Sequence, residues 1–286
     1  MKKLGITAAM AAIGILAMGV LAGQARADEW TKTYQISGHA NLSVTTGDGD
    51  VHIATGGQNQ IIAKVTTSGY KIGPNDVQII ESQTGDTVSI EVKLPHWNWN
   101  WGIHKGVQVN LQVPQSLDAD VRTGDGNIDI QMASGNLHFD TGDGNITADS
   151  LHGTIEAKSG DGNITGQNFD GSLEASTGDG NINVGGRFDA LTLKSGDGSI
   201  QAQVAAGSKI SQSWSVESGD GRINMRVPGD FQANLDAHTG DGSITLDVPV
   251  QVSGSLSHSE VRGKLNGGGG DLRLRSGDGS IHLEKI

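Results

Sequence analysis

The sequence of 286 residues predicts an all-β protein, a parallel β-solenoid (β-helix) with about 18 residues and two strands per coil. Three observations predict it. The tripeptide Gly-Asp-Gly occurs nine times, with its Asp at 48, 125, 143, 161, 179, 197, 220, 241 and 278. From Asp125 to Asp197 every step is 18 residues, and the later, longer steps read as the same unit with insertions. Stacked on one another, the units repeat like residues in like positions, the mark of a solenoid or array.

The chain opens with Lys2 and Lys3, continues through an apolar run from Leu4 to Leu21, and reaches Ala25-Arg26-Ala27 before Asp28. A basic start, a short apolar centre and a small-x-small site predict a secretory signal peptide over residues 1–27. Export without Lys2, Lys3 and Arg26 reduces the 20 basic side chains to 17, against 32 acidic ones. So acidic a chain excludes nucleic acid as a partner, because phosphate binding needs a basic surface. It also disfavours electrostatic docking on anionic lipid. No stretch after residue 27 is apolar enough to span a membrane. With no cysteine, stability has to come from backbone pairing and packing rather than disulfides.

Residues 28–118 read as an N-terminal β cap. They carry one Gly-Asp-Gly at Gly47–Gly49, followed by Val51 and Ile53, and then alternating runs at Gln60–Val65, Val77–Ile80, Thr87–Leu94 and Val107–Val113. Pro95 and Pro114 end the last two runs. A solenoid end exposes unpaired strand groups and needs such a cover. The Trp-rich loop 95–105 holds Trp97, Trp99 and Trp101, three of the five tryptophans, at alternate positions. On an extended segment they share one face.

Residues 119–286 form the repeats. A Thr or Ser precedes each turn (Thr123, Thr141, Ser159, Thr177, Ser195), and Asn127, Asn145, Asn163 and Asn181, then Ser199, follow it. Next comes an aliphatic column, Ile128, Ile146, Ile164, Ile182 and Ile200. Half a unit later Leu137, Ile155, Leu173 and Leu191 begin a second apolar pair. Apolar residues at i and i+2 between polar ones give the strand period. Two strands of one coil can bury these columns against each other, whereas a meander would leave its apolar face without a second layer. Stacked coils also let the asparagine amides bond in a ladder. Ile281 and Leu283 continue the columns, with Glu284 and Lys285 expected to blunt the last edge.

The structural turn glycines, Gly124, Gly126, Gly142, Gly144, Gly160, Gly162, Gly178 and Gly180, are expected to supply positive φ at the corners. The Asp between each pair is expected to bond following amides as an Asx turn. The column Asp125, Asp143, Asp161, Asp179 and Asp197 has a second reading as a calcium site, because a divalent ion relieves repulsion between stacked carboxylates. The order Gly-Asp-Gly departs from the Gly-Gly-x-Gly-x-Asp of calcium-roll turns. Trp97, Trp99 and Trp101 are candidate ligand-binding residues that can stack on sugar rings; they serve equally as a plug on the solenoid. No nucleophile signature or acid–base pair points to an enzyme.

The repeated Thr/Ser-Gly-Asp-Gly-Asn/Ser-Ile, preceded by a strand ending Val113-Pro114 and by a signal peptide, resembles the bacterial "putative adhesin" family of β-strand-repeat proteins, a domain of unknown function. The resemblance covers about residues 35–284 and implies a β-solenoid at the periplasm or cell surface, with no catalytic residue to carry over. The expected protein is therefore a non-enzymatic scaffold that binds a glycan or another envelope or cell-surface component. A self-assembling structural protein joined end to end and a polysaccharide-acting β-helix enzyme are the alternatives. Apart from calcium, no cofactor is expected.

Overall fold

The computed structural model describes residues 27–95 and 105–286. Those residues form 23 strands, no helix, and one continuous solenoid-like sheet. No helix among them is long and apolar enough to cross a membrane.

The strands run in two walls. Leu117–Thr123, Ser134–Thr141 and His152–Ser159 belong to the first wall, and Ile128–Gln131 and Ile146–Asp149 to the second. Ile164–Thr177 and Ile182–Ser195 each pass from the second wall to the first. Within a wall the pairing is parallel and in step with the sequence repeat. Leu137 lies opposite Ile155, Ile155 opposite Leu173, Ile146 opposite Ile164, and Ile164 opposite Ile182. The inward columns meet between the walls, and Ile128, Ile146, Ile164, Ile182 and Ile200 are all buried. Another inward column mixes large and small residues, with Val121, Phe139, Ala157, Ala175, Leu193 and Val216 facing one another in turn. At the far corners Phe169, Phe188, Trp214 and Phe231 stack with ring centroids 6.4, 6.2 and 5.4 Å apart.

The order of layers departs from the order of the chain at both ends. Ala40–Thr46 pairs in parallel with Thr87–Lys93 on one side and Leu117–Thr123 on the other. Asp50–Thr55 likewise lies between Gly106–Val113 and Ile128–Gln131, which sets Val51 opposite Ile128. Beyond this, Gln60–Ser68 pairs antiparallel with Gly106–Val113, Ala27–Gln35 with Gln60–Ser68, and Gln78–Thr84 with Thr87–Lys93.

At the other end, the sequence's last layer is not the outermost. Asp271–Ser276 pairs with both Ser213–Ser218 and Ala233–Thr239, and Ile281–Lys285 pairs with both Ile223–Val227 and Ile244–Asp247. Glu284 and Lys285 therefore do not blunt the last edge. The outer side of Ala233–Thr239 is occupied by Glu260–Leu265, which pairs with it antiparallel and then with Val250–Leu256. The chain's end consequently takes the inner place.

Candidate functional site

The Gly-Asp-Gly corners are built from backbone contact between layers. The N–H of Gly160 donates to the carbonyl of Thr141 at 3.1 Å, and Asp161 N–H donates to Gly142 at 3.2 Å. A Cβ on Gly126, Gly144, Gly162 or Gly180 would fall under 3.0 Å from the carbonyl oxygen of the turn beneath. The outer glycines Gly124, Gly142, Gly160 and Gly178 are crowded in the same way. Positive φ is not their reason: none of these glycines has it, and between Leu117 and Ser195 it occurs instead at the opposite corner, at Met132, Ser150, Asn168, Gly135, Gly153 and Gly171. The expectation of left-handed glycines is thus corrected. Parallel strands bring successive turns into direct contact, and only hydrogen fits between them.

The turn is closed by the preceding hydroxyl rather than by the Asp. Gly144 N–H donates to Thr141 Oγ1 at 3.2 Å, Gly162 to Ser159 at 2.9 Å, and Gly198 to Ser195 at 3.0 Å. Each hydroxyl in turn donates to the last glycine carbonyl one layer below, as Thr141 does to Gly126 at 2.8 Å and Ser159 to Gly144 at 2.8 Å. These Thr and Ser residues are buried, so a polar column runs beside the apolar core with its groups satisfied.

Asp125, Asp143, Asp161, Asp179 and Asp197 stand exposed at the tips of these corners. No group of three or more His, Cys, Asp or Glu side chains that could hold a metal ion occurs among the described residues. The column therefore sets carboxylates in a line without converging them on one ion. Trp97, Trp99 and Trp101 lie outside the described residues.

The asparagine ladder gives the second wall its outer surface. Asn145 N–H and Nδ2 both donate to Asn127 Oδ1, at 2.9 and 3.2 Å. Asn163 does the same to Asn145 at 2.9 and 3.1 Å, and Asn181 to Asn163 at 2.9 and 3.1 Å. Asp50 begins the run by accepting both bonds from Asn127, and Ser199 N–H ends it on Asn181 Oδ1. Beside the ladder, Asp129 faces Thr147, Thr147 faces Thr165, and Thr165 faces Asn183. An open groove of about 550 Å³ runs along these residues from His52 to Asn183.

The first wall is different in kind, being crossed by ion pairs. His138 Nδ1 lies 3.2 Å from Glu156, Arg122 is 3.0 Å from Asp120, and Lys158 pairs with Glu156. Lys158 beside it holds the Glu156 carboxyl below its ordinary range. The backbone N–H of Asn136, 2.8 Å away, does the same for Asp118, and Arg275 does so for Asp236. The first wall carries these ion pairs on its outer face, while the second offers uncharged amides and hydroxyls from Asn145 to Asn183. The ladder was legible in the sequence; the groove along it was not, since the repeat reveals columns but not which of them stay open.

The chain belongs to the Toastrack DUF4097 family, whose profile matches residues 39–284. No curated protein matches it. Among solved structures it is similar to a putative adhesin from Bacteroides fragilis NCTC 9343, at 13% identity over 90% of this chain and 97% of that one, TM-score 0.47. A putative lipid binding protein from Parabacteroides distasonis ATCC 8503 is 16% identical over 90% and 96%, TM-score 0.44. A putative cell adhesion protein from Clostridium sporogenes ATCC 15579 is 14% identical over 91% and 100%, TM-score 0.32.

Proposed function

We propose that this Toastrack DUF4097 protein is an exported, non-enzymatic binding scaffold of the cell envelope, and that the second wall is its contact face. In this reading residues 1–27 are removed on export, residues 28–118 cap the rod, and residues 119–286 form a parallel β-solenoid of 18-residue, two-strand coils. The observation that carries the reading is the ladder from Asp50 to Ser199. It fixes a row of amides in one orientation, so a ligand meets groups that are already ordered. A rigid, repetitive face suits adhesion to an extended partner, with each layer adding a small, equal contribution.

The test is retention of the purified mature protein on the insoluble envelope fraction of the producing bacterium. Thr147→Arg with Thr165→Arg covers the groove with bulk; both side chains are exposed. Loss of retention with an unchanged melting temperature supports the reading. Equal retention of the variant and the wild type rejects the wall as the contact face.

Self-assembly is the second reading, favoured by the end that carries Val250–Leu256. There Val252 and Leu256 are 45% and 67% exposed, while Ile244, Leu246, Val248 and Val250 are only half-buried. An apolar rod end beside a strand edge is a surface for end-to-end association. A sedimentation coefficient independent of concentration counts against it.

A further inference from the structure

We infer that the ligand of the second wall is a neutral polysaccharide lying along the groove, its hydroxyl and ring oxygens accepting hydrogen bonds from the asparagine amides. This rests on the contact face proposed above and adds the chemistry of what it holds.

Hydrogen-bond accounting along the ladder gives the first argument. The Oδ1 atoms of Asn127, Asn145 and Asn163 each accept two bonds from the layer above, which fills both lone pairs. Each Nδ2 uses one of its two hydrogens on the layer below, so one donor per layer is left for solvent. The column is therefore rich in donors and exhausted in acceptors. Thr147, Thr165 and Asn183, exposed in the next column, make no side-chain hydrogen bond among the described residues. Their hydroxyls and amide both donate and accept, which matches the mixed character of sugar hydroxyls.

Charge gives the second argument. Over the layers of Asn145, Asn163 and Asn181 the groove is lined by Thr and Asn and holds no cationic side chain. Its only charged or titratable lining residues are His52 and Asp129 at one end, where they lie 3.9 Å apart. The exposed Asp125, Asp143, Asp161 and Asp179 line the adjoining corner. A polymer carrying phosphate, sulfate or carboxylate would be repelled along its whole length. An uncharged one would not.

Spacing gives the third. Successive layers of a parallel sheet repeat at about 4.8 Å, on the order of the length of one sugar ring in an extended chain. A polymer laid along the axis therefore meets one free amide donor per ring. Each contact is weak and solvent-exposed, so affinity has to accumulate with chain length.

The experiment is affinity electrophoresis of the mature full chain in gels holding soluble neutral polymers, namely mixed-linkage β-glucan, galactomannan and yeast α-mannan, and separately alginate and dextran sulfate. Calorimetry with short and long oligosaccharides of any retained polymer follows. Retardation by a neutral polymer is expected, with affinity rising with oligosaccharide length. Thr147→Arg with Thr165→Arg should weaken it by roughly tenfold or more, the loss of about two hydrogen bonds. The melting temperature should not move. No retardation by any of the neutral polymers, or retardation by the polyanions alone, overturns the ligand class. If the double variant nevertheless loses retention on the envelope fraction, the wall remains the contact face and only the ligand is wrong. If it keeps that retention, the binding face itself falls.

Discussion

The hydroxyl of Thr141 donates to the carbonyl oxygen of Gly126, 2.8 Å away in the layer below, while it accepts the N–H of Gly144 at 3.2 Å. One buried side chain thus closes its own corner and ties it to the next. Thr141→Val preserves the shape and removes both bonds, leaving a buried N–H and a buried carbonyl without that partner. A loss of about 2 kcal/mol is expected, read as a lower urea midpoint with an unchanged slope. Thr141→Ser should cost far less, because Ser159 and Ser195 hold the same place. Equal losses for Val and Ser would remove the hydroxyl from the account.

Gly144→Ala tests the packing of the same corner. The added Cβ would lie under 3.0 Å from the backbone oxygen of Gly126, and a backbone atom cannot swing aside as a side-chain tip can. A loss of about 3 kcal/mol or more is expected. Gly106→Ala is the control, since nothing lies within 4 Å of its Cβ. Thermal melting of the two variants side by side decides between crowding and a general intolerance of alanine.

What the sequence reveals, and what it hides, follows from these contacts. Ile128, Ile146, Ile164 and Ile182 announce an inward column because strand alternation is local, and the asparagines announce a ladder because the repeat is regular. The reason for glycine at the corners is hidden, because it depends on the distance between layers rather than on the turn itself. The neighbours of the terminal layer are hidden for a related reason. Ile281 fits equally well beside Ile223 or Ile244, so identical columns say which side chains point inward without saying which layer lies next to which. The groove is hidden too, because a column of Thr and Asn reads the same whether covered or open.

Acid should destabilise the fold in a definite window. Asp118, Glu156 and Asp236 have carboxyls held below their ordinary values, by the Asn136 N–H, by Lys158 and by Arg275 respectively. A depressed folded value means that the stabilisation is complete above the unfolded pKa of about 4 and is lost as pH falls through the folded one. The melting temperature should hold level from neutral to about pH 5 and drop below about pH 4. Asp236→Asn should cost less than about 1 kcal/mol of stability at neutral pH, because the pair is partly exposed, and should flatten the acid slope. A slope unchanged in that variant would assign the acid response to other groups.

Calcium removal should leave the fold as it is. Asp125, Asp143, Asp161, Asp179 and Asp197 are exposed, and no metal-holding cluster occurs among the described residues. Melting in calcium and in chelator at constant ionic strength should superimpose. A melting temperature that climbs and then saturates with added calcium would show a site that the carboxylate line does not by itself form.

The inner position of the terminal layer can be tested with two leucines of one column. Leu283 lies opposite Leu246, but Leu283 has strands on both sides and is fully buried, whereas Leu246 sits in the outer layer and is half-buried. Leu283→Ala should therefore cost about 2–5 kcal/mol, the range for a buried leucine whose cavity cannot collapse. Leu246→Ala should cost less than half as much, since the site is already open to solvent. If the chain ended at the tip of the rod, the order would reverse, with Leu283 the cheaper substitution. The sign of the difference between the two urea midpoints thus reports the order of the layers, and it does so from the intact chain, with no truncation to expose both edges of the gap.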